Sequence, residues 1–382
     1  MDWNPQQLDL YRQYASWAKA QVAPRATTCW KMGEFDQQSW QALCQTDLWR
    51  MVIPVAYGGL GLHWRDFSAA LEGLASNVAD GGFLLTLISQ AGFLRGLALV
   101  GSDAQKARCY PRILAGELTA TAIAEPHSGT DVFGVETTGV ENGQGILLQG
   151  SKWNIAHAPT AGMALVVGKM PALGKRSLTV FLLEDAQRHW KAHASDAKMG
   201  NRTLPTAGME FNGVLLPADA VFGEAGAGML SLGAVAGLQR IYYGWLGSRL
   251  LEPMLQECMD FLENRGSRGK SLLDQQYIQG KITDALIALE QSRWVGLGAL
   301  QHLIDGDSRA SVSGSMAKLT GTQAALDAAR GLLSLMGSNG YQVGLCSRLL
   351  QDLHGWLAVG GTEEAHRINI FNQFTKQKKA KP

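Results

Sequence analysis

The chain has 382 residues, 46% of them hydrophobic and 18% charged, and a formal net charge of +1. That length exceeds one ordinary core and implies two or three packed units. Near-neutral charge excludes a face built to hold nucleic acid or a membrane surface by charge. Five scattered cysteines without metal or redox spacing imply free thiols in a reducing cytoplasm. The opening "MDWNPQQLDLYRQ" lacks the basic and apolar regions of a signal peptide. No apolar run is expected to reach the length of a membrane span.

In chain order, residues 5–116 read as helical. "LDLYRQYASWAKAQV" places apolar residues three and four apart, and "FDQQSWQALCQTDLW" repeats the pattern with Asp36 as N-cap. "PVAYGGLGL" is a glycine-punctuated loop. Residues 66–101 read as two buried helices, followed by a shorter one opened by Ser102 or Asp103.

The character changes near Leu118. "LTATAIAE", "GILLQGSKWNIAH", "MALVVGKM", "SLTVFLLE" and "GMEFNGVLLP" are short strand-like runs separated by turn residues, the signature of an antiparallel barrel or sandwich. After "GEAGAG" the helical period returns in one long stretch that Pro253 is placed to kink, and then in four further elements. The reading is α+β: an N-terminal helical domain over 1–117, a central antiparallel β domain over 118–223, and a C-terminal four-helix bundle over 224–382.

Several loops carry polar groups suited to a ligand. "IAEPHSGTDV" leaves a strand and offers Ser128, Gly129 and Thr130 to an anion or a polar ring edge; an ordinary β-turn explains the same residues. Arg240 is a lone charge in an apolar helix and calls for an anionic partner. "NRGSRGKSLLDQQ" is a basic turn whose Arg265, Arg268 and Lys270 suit a pyrophosphate; a solvated loop is the alternative. "LMGSNGY" is a helix C-cap turn. His189 and His193, four apart, lack the companions of a metal site.

Taken in order and spacing, "IPVAYGGLGL", "PRILAGELTATAIAEPHSGTDV", "KMGNRTLPTAGMEFNGVLLPADAVFGEAGAGM", "ENRGSRGKSLLDQQ", "LMGSNGY" and "GGTEEAHR" resemble the motifs of the acyl-CoA dehydrogenase family of flavoproteins. The resemblance covers nearly the whole chain. It implies FAD between the β domain and the bundle, an acyl thioester substrate on coenzyme A or a carrier protein, and a homodimer or homotetramer. An electron-accepting flavoprotein would be a further partner. Ile123, Ala124, Thr130, Asn154, Ile155 and Ala156 would line the isoalloxazine. A neighbouring subunit would supply Arg265, Arg268, Gln276, Ser338 and Asn339, and Thr362 and Glu364 would approach the phosphates or adenosine. Arg240 would lie near the thioester.

The family's carboxylate base immediately precedes either the Gly-Thr of the last motif or the arginine of the first bundle helix. Those positions are Gly360 and Gln239 here, and neither accepts a proton. Glu363 is the remaining candidate, with a solvated or capping role as its alternative. Losing a general base costs ~10²–10⁴ in rate. Ala124 stands where relatives carry a threonine beside flavin N5, and Asn154 and Ala156 replace Trp-x-Thr, so fewer hydroxyls tune the flavin. Arg268 replaces the phenylalanine of the Arg-x-x-Phe-Gly turn. These departures favour oxidation of a small acyl group on a carrier protein, of the hydroxymalonyl or aminomalonyl type that feeds polyketide synthesis. A conventional desaturase, a flavin-dependent oxygenase and a non-catalytic relative are the alternatives.

Overall fold

The computed structural model describes residues 2–185, 189–267 and 269–379. Six helices come first: α1 (Pro5–Gln21), α2 (Ala23–Met32), α3 (Gln37–Cys44), α4 (Trp64–Asn77), α5 (Gly81–Val100) and α6 (Asp103–Leu114). Local chemistry starts them. Asp36 accepts from the Ser39 amide and caps α3, while Ser102 and Gln105 form a reciprocal capping box on α6.

The strands follow: β1 (Thr119–Ala122), β2 (Thr138–Glu141), β3 (Ile146–Ala156), β4 (Met163–Lys169), β5 (Leu178–Leu183), β6 (Lys191–Ala192) and β7 (Thr206–Leu216). Their order is β1-β4-β2-β3-β7-β6, with β5 on β4. The sheet is therefore mixed, not wholly antiparallel as the strand spacing implied: β1 runs parallel to β4, with Thr119 opposite Met163. The β2–β3 hairpin lies between these two strands in sequence, so the chain returns to the edge of β1 travelling in the same direction. Alternation along β4 and β5 serves two cores. Met163, Leu165, Val167, Val180 and Leu182 join the helical core, while Ala164, Val166, Phe181 and Leu183 fill the β domain.

The second helical set is α7 (Gly228–Ser248), α8 (Leu251–Glu263), α9 (Gln276–Ile304), α10 (Ala310–Leu335), α11 (Leu345–Trp356) and α12 (Glu363–Lys379). The long stretch breaks between α7 and α8, where the Pro253 ring crowds the Arg249 carbonyl and cannot donate to it. A short hairpin, Gly266–Ser267 against Lys270–Ser271, joins α8 to α9.

One expectation is corrected. Helix α5 is long and apolar enough, by length and composition, to cross a membrane. It is instead wrapped by protein, with 78% of its most apolar window buried. Its uncharged polar groups Thr86, Ser89 and Gln90 are buried too, and its one charge, Arg95, is partly buried and donates to the Ala234 carbonyl at 2.8 Å.

Candidate active site

Helix α5 is the wall shared by the β domain and the bundle. Thr86 hydrogen-bonds His157 Nε2 at 2.8 Å, just beyond the end of β3. The Gln90 side-chain carbonyl accepts from the Thr119 amide and hydroxyl at the start of β1. On the bundle side, Gln239 Nε2 donates to the Ser89 carbonyl at 3.3 Å. A Cβ on Gly92 would fall 2.4 Å from the Gln239 side chain, so glycine there lets α7 approach. One helix thus fixes the spacing between the strand ends and the face of α7 that carries Gln239 and Arg240.

The strand-end face is built on a bulge. The pairing of β3 with β7 slips between Lys152 and Ile155, and Asn154 takes a left-handed conformation (φ 59°). The slip leaves Trp153 half exposed and Asn154 exposed beside the loop that follows β1. Trp153 N donates to the Ala124 carbonyl at 2.9 Å, fastening the bulge to that loop.

Beneath the loop lies an ion pair that no local motif announces. Lys152 Nζ donates to the Glu125 carboxylate at 2.7 Å and to the Ile123 carbonyl at 2.9 Å. Glu125 also accepts from the Glu136 amide at 2.6 Å, and from the Thr137 amide and hydroxyl at 3.0 and 2.6 Å. Burial is the largest influence on Glu125 and raises its pKa, but Lys152 and these donors outweigh it and hold the pKa below normal. Burial pushes Lys152 down to about 8.

The structure sorts the expected flavin-facing residues. Ile123, Ala124 and Ala156 are half-buried, and Thr130 and Asn154 are exposed. Ile155 is the exception. Its side chain is 3% exposed and packs inside the β domain, because its neighbours across the bulge flip outward. Only its backbone can meet a ring. Ser128 is already committed, donating to the Asp131 carbonyl at 2.5 Å.

The bundle side carries the Gly360–Gly361 turn. Both glycines have positive φ, 72° and 113°. A Cβ on Gly360 would lie 2.5 Å from the Tyr243 ring, and one on Gly361 would lie 3.1 Å from His366 Nε2. The turn is held from below. Lys318, 1% exposed, donates to the Leu357 carbonyl at 2.6 Å. His366, buried, pairs through Nδ1 with Ser315 Oγ at 3.1 Å, and its ring meets the backbone of Gly360 and Gly361. Burial first, and then the charges of Arg240 and Lys318, push His366 down to about 4. Arg240 makes no hydrogen bond or ion pair to any described residue, its Nε is shielded from solvent, and burial lowers its pKa.

Neither glutamate of this motif faces the turn as a free base. Glu363 pairs with Arg367 one helical turn on, and Glu364 is exposed, held below normal by hydrogen bonds at the α12 N-terminus. Nothing local distinguished Tyr243, His366 or Lys318, the last of which sits in the polar run "SVSGSMAKLTGTQ".

A third group lies far off. Arg265, at the end of α8, stacks on the Phe261 ring at 4.8 Å. Gln276 begins α9, and Ser338 and Asn339 follow α10; all three are exposed. Lys281 Nζ donates to Ser334 Oγ at 2.5 Å, so the α9 start and the α10 end share one end of the bundle. The Thr362 turn instead packs near Ser315 and Lys318, through His366 and Leu357. The residues between Ser315 and Leu335 span on the order of 30 Å of helix. A single chain does not bring these two sets together. Arg268, expected among the first, lies outside the described residues.

The residues fit a flavin nucleotide. The loop and bulge form a partly open apolar face with amide and hydroxyl groups at its rim. A Cβ added to Gly129 would meet nothing within 4 Å, so the loop is open to a close approach, and Arg240 lacks a counter-ion among the described residues.

Comparison with known proteins agrees along the whole chain. Family models described as the N-terminal, middle and C-terminal domains of acyl-CoA dehydrogenase match residues 4–117, 120–214 and 226–374. Mitochondrial isovaleryl-CoA dehydrogenase of Arabidopsis thaliana is 26% identical over 380 residues, covering 97% of this chain and 91% of that protein. The crystal structure of the prolyl acyl carrier protein oxidase AnaB superposes with a TM-score of 0.93 at 21% identity, covering 98% of this chain and 100% of that one. A structure of PigA with FAD and proline gives 0.92 at 21% identity, covering 99% and 100%.

Proposed function

This chain belongs to the acyl-CoA dehydrogenase family of FAD-dependent oxidoreductases, and from that premise we propose that it oxidises a small acyl group carried as a thioester on an acyl-carrier protein. One observation carries the reading: neither position at which the family holds its base has a carboxylate. Gly360 is packed against Tyr243, and Gln239 is spent on the Ser89 carbonyl. An α-proton of a saturated acyl chain has no acceptor there. Oxidation at an aldehyde-level carbon transfers a hydride without that step. AnaB, an oxidase of a carrier-bound prolyl group, supports the choice of carrier at the level of fold.

FAD, when bound, supplies the hydride acceptor. Ile123, Ala124, Thr130, Asn154, Ala156 and the Ile155 backbone would hold its ring, positioned by the Glu125–Lys152 pair beneath. Arg240 would offer its guanidinium to the acyl group, in a site whose burial strengthens each such contact. Thr362 and Glu364 would meet the nucleotide portion. Arg265, Gln276, Ser338 and Asn339 would serve the site of a second copy in a homodimer or homotetramer, since their own chain holds them too far away. A flavoprotein acceptor would remove the electrons.

The test is anaerobic flavin bleaching. A three-carbon semialdehyde on a carrier protein is expected to bleach the purified protein, and butyryl- and octanoyl-CoA are not. Fast bleaching by either saturated acyl-CoA overturns the proposal.

A further inference from the structure

Arg240 and Tyr243 lie three residues apart on α7 and so share a face. The Tyr243 ring lies against Gly360, and His366 lies under Gly361. Tyr243 is 6% exposed, and its hydroxyl bonds to no described residue. Burial pushes its pKa far above that of an ordinary phenol, so the hydroxyl keeps its proton. Arg240 has no counter-ion among the described residues, and its Nε has no hydrogen-bond partner there. Lys318 adds a second positive charge close to His366.

Arg240 and Tyr243 thus bring hydrogen-bond donors toward the turn with nothing of the protein's own to receive them. Glu363, the first carboxylate of the motif, is spent on Arg367, and the Gln239 amide nitrogen is spent on the Ser89 carbonyl. Arg240 Nε, buried without a partner, costs free energy until a ligand supplies an acceptor to the guanidinium. A saturated acyl chain supplies none beyond its thioester carbonyl.

We infer that Arg240 and Tyr243 form a subsite for an acyl group whose distal carbon bears two acceptor oxygens, a carboxylate or the hydrate of an aldehyde. This deepens the proposed function and rests on the same site. A guanidinium matches two oxygens on one carbon, and the phenol hydroxyl on the same helix face offers a further donor, whereas an ammonium-bearing acyl group would meet like charge. Tyr243 takes the space in which a family carboxylate would stand, so the same side chain removes the base and adds a donor.

The probe is a pair of ligands with and without a distal carboxylate, malonyl-CoA and propionyl-CoA, titrated calorimetrically into the FAD-loaded protein. Neither needs to react, so the outcome is separate from the bleaching test. Malonyl-CoA is expected to bind ~10–100-fold more tightly, the value of a hydrogen-bonded charge. Arg240→Met should erase that preference, Arg240→Lys should restore part of it, and Tyr243→Phe, which keeps the ring and the packing, should reduce it several-fold. Equal affinities in the unaltered protein overturn the inference, as does a preference that survives both Arg240→Met and Tyr243→Phe.

Discussion

A Cβ placed on Gly360 would stand 2.5 Å from two carbons of the Tyr243 ring, in a backbone conformation with φ 72°. Both facts oppose a larger residue. Gly360→Glu therefore does not restore a base. Left-handed backbone costs a residue with a side chain ~1–2 kcal/mol, and forced overpacking adds ~1–3 kcal/mol. The expected variant is destabilised in thermal unfolding and inert to butyryl-CoA. Adding Tyr243→Ala should recover part of the stability by opening the space. Native stability and rapid butyryl-CoA oxidation in the single variant would contradict this account.

The loop proposed to face the flavin should fail when its support does. Glu125 ties four donors together beneath Ile123 and Ala124, and the buried Lys152 pairs with no other carboxylate among the described residues. Glu125→Gln leaves that ammonium buried without its counter-charge, at a cost of ~3–5 kcal/mol. The purified variant should contain less FAD per chain, read from the ratio of visible to ultraviolet absorbance. Full flavin content with unchanged stability would show that the pair is dispensable.

Features set by neighbours in sequence were legible, and those set by distant packing were not. Asp36 and Ser102 could be read as caps because a cap bonds to amides within three residues of itself. Pro253 announced the α7–α8 break for the same local reason. The parallel pairing of β1 with β4 joins Thr119 to Met163 across an intervening hairpin, and no periodicity encodes it. At the site, Gly360 and Gln239 could be located by register with known motifs. The role of Tyr243 could not, since a tyrosine in an apolar helix reads as core until the turn that covers it is placed. His366 and Ser315 likewise come from different helices.

Glu72 is the charge on which the N-terminal helices and the bundle meet. It is fully buried and accepts from Trp3 Nε1 at 2.6 Å, Trp245 Nε1 at 2.9 Å, Arg249 Nη2 at 2.5 Å and Arg293 Nε at 3.1 Å. Glu72→Ala strands two indole donors and takes one carboxylate from each of two arginines, leaving Arg249 to Glu252 and Arg293 to Asp2. Breaking a buried pair on one side costs ~3–5 kcal/mol, and the midpoint of urea unfolding should fall accordingly. A loss below ~1 kcal/mol, the value of a surface pair, would mean that water replaces the carboxylate.

Asp80 should make stability depend on pH in the direction opposite to most carboxylates. Burial is the main cause, the Asp352 carboxylate the second, and together they push Asp80 up to about 6. Hydrogen bonds from Thr203 and the Phe83 amide, and the charge of Arg348, oppose the shift without cancelling it. An acid with a raised folded pKa favours the protonated state in the fold. Its stabilising contribution is whole below about pH 4 and is lost as the pH rises toward 6, a span worth ~3 kcal/mol. Asp80→Asn keeps the oxygen that caps α5 and removes the titration. Relative to the variant, the unaltered protein should lose stability between about pH 4 and pH 7 in urea unfolding. Burial also raises Asp352, whose charge acts on Asp80, so the difference between the two profiles reports Asp80 together with its coupling to Asp352. Two parallel pH profiles would show that the fold does not raise the Asp80 pKa.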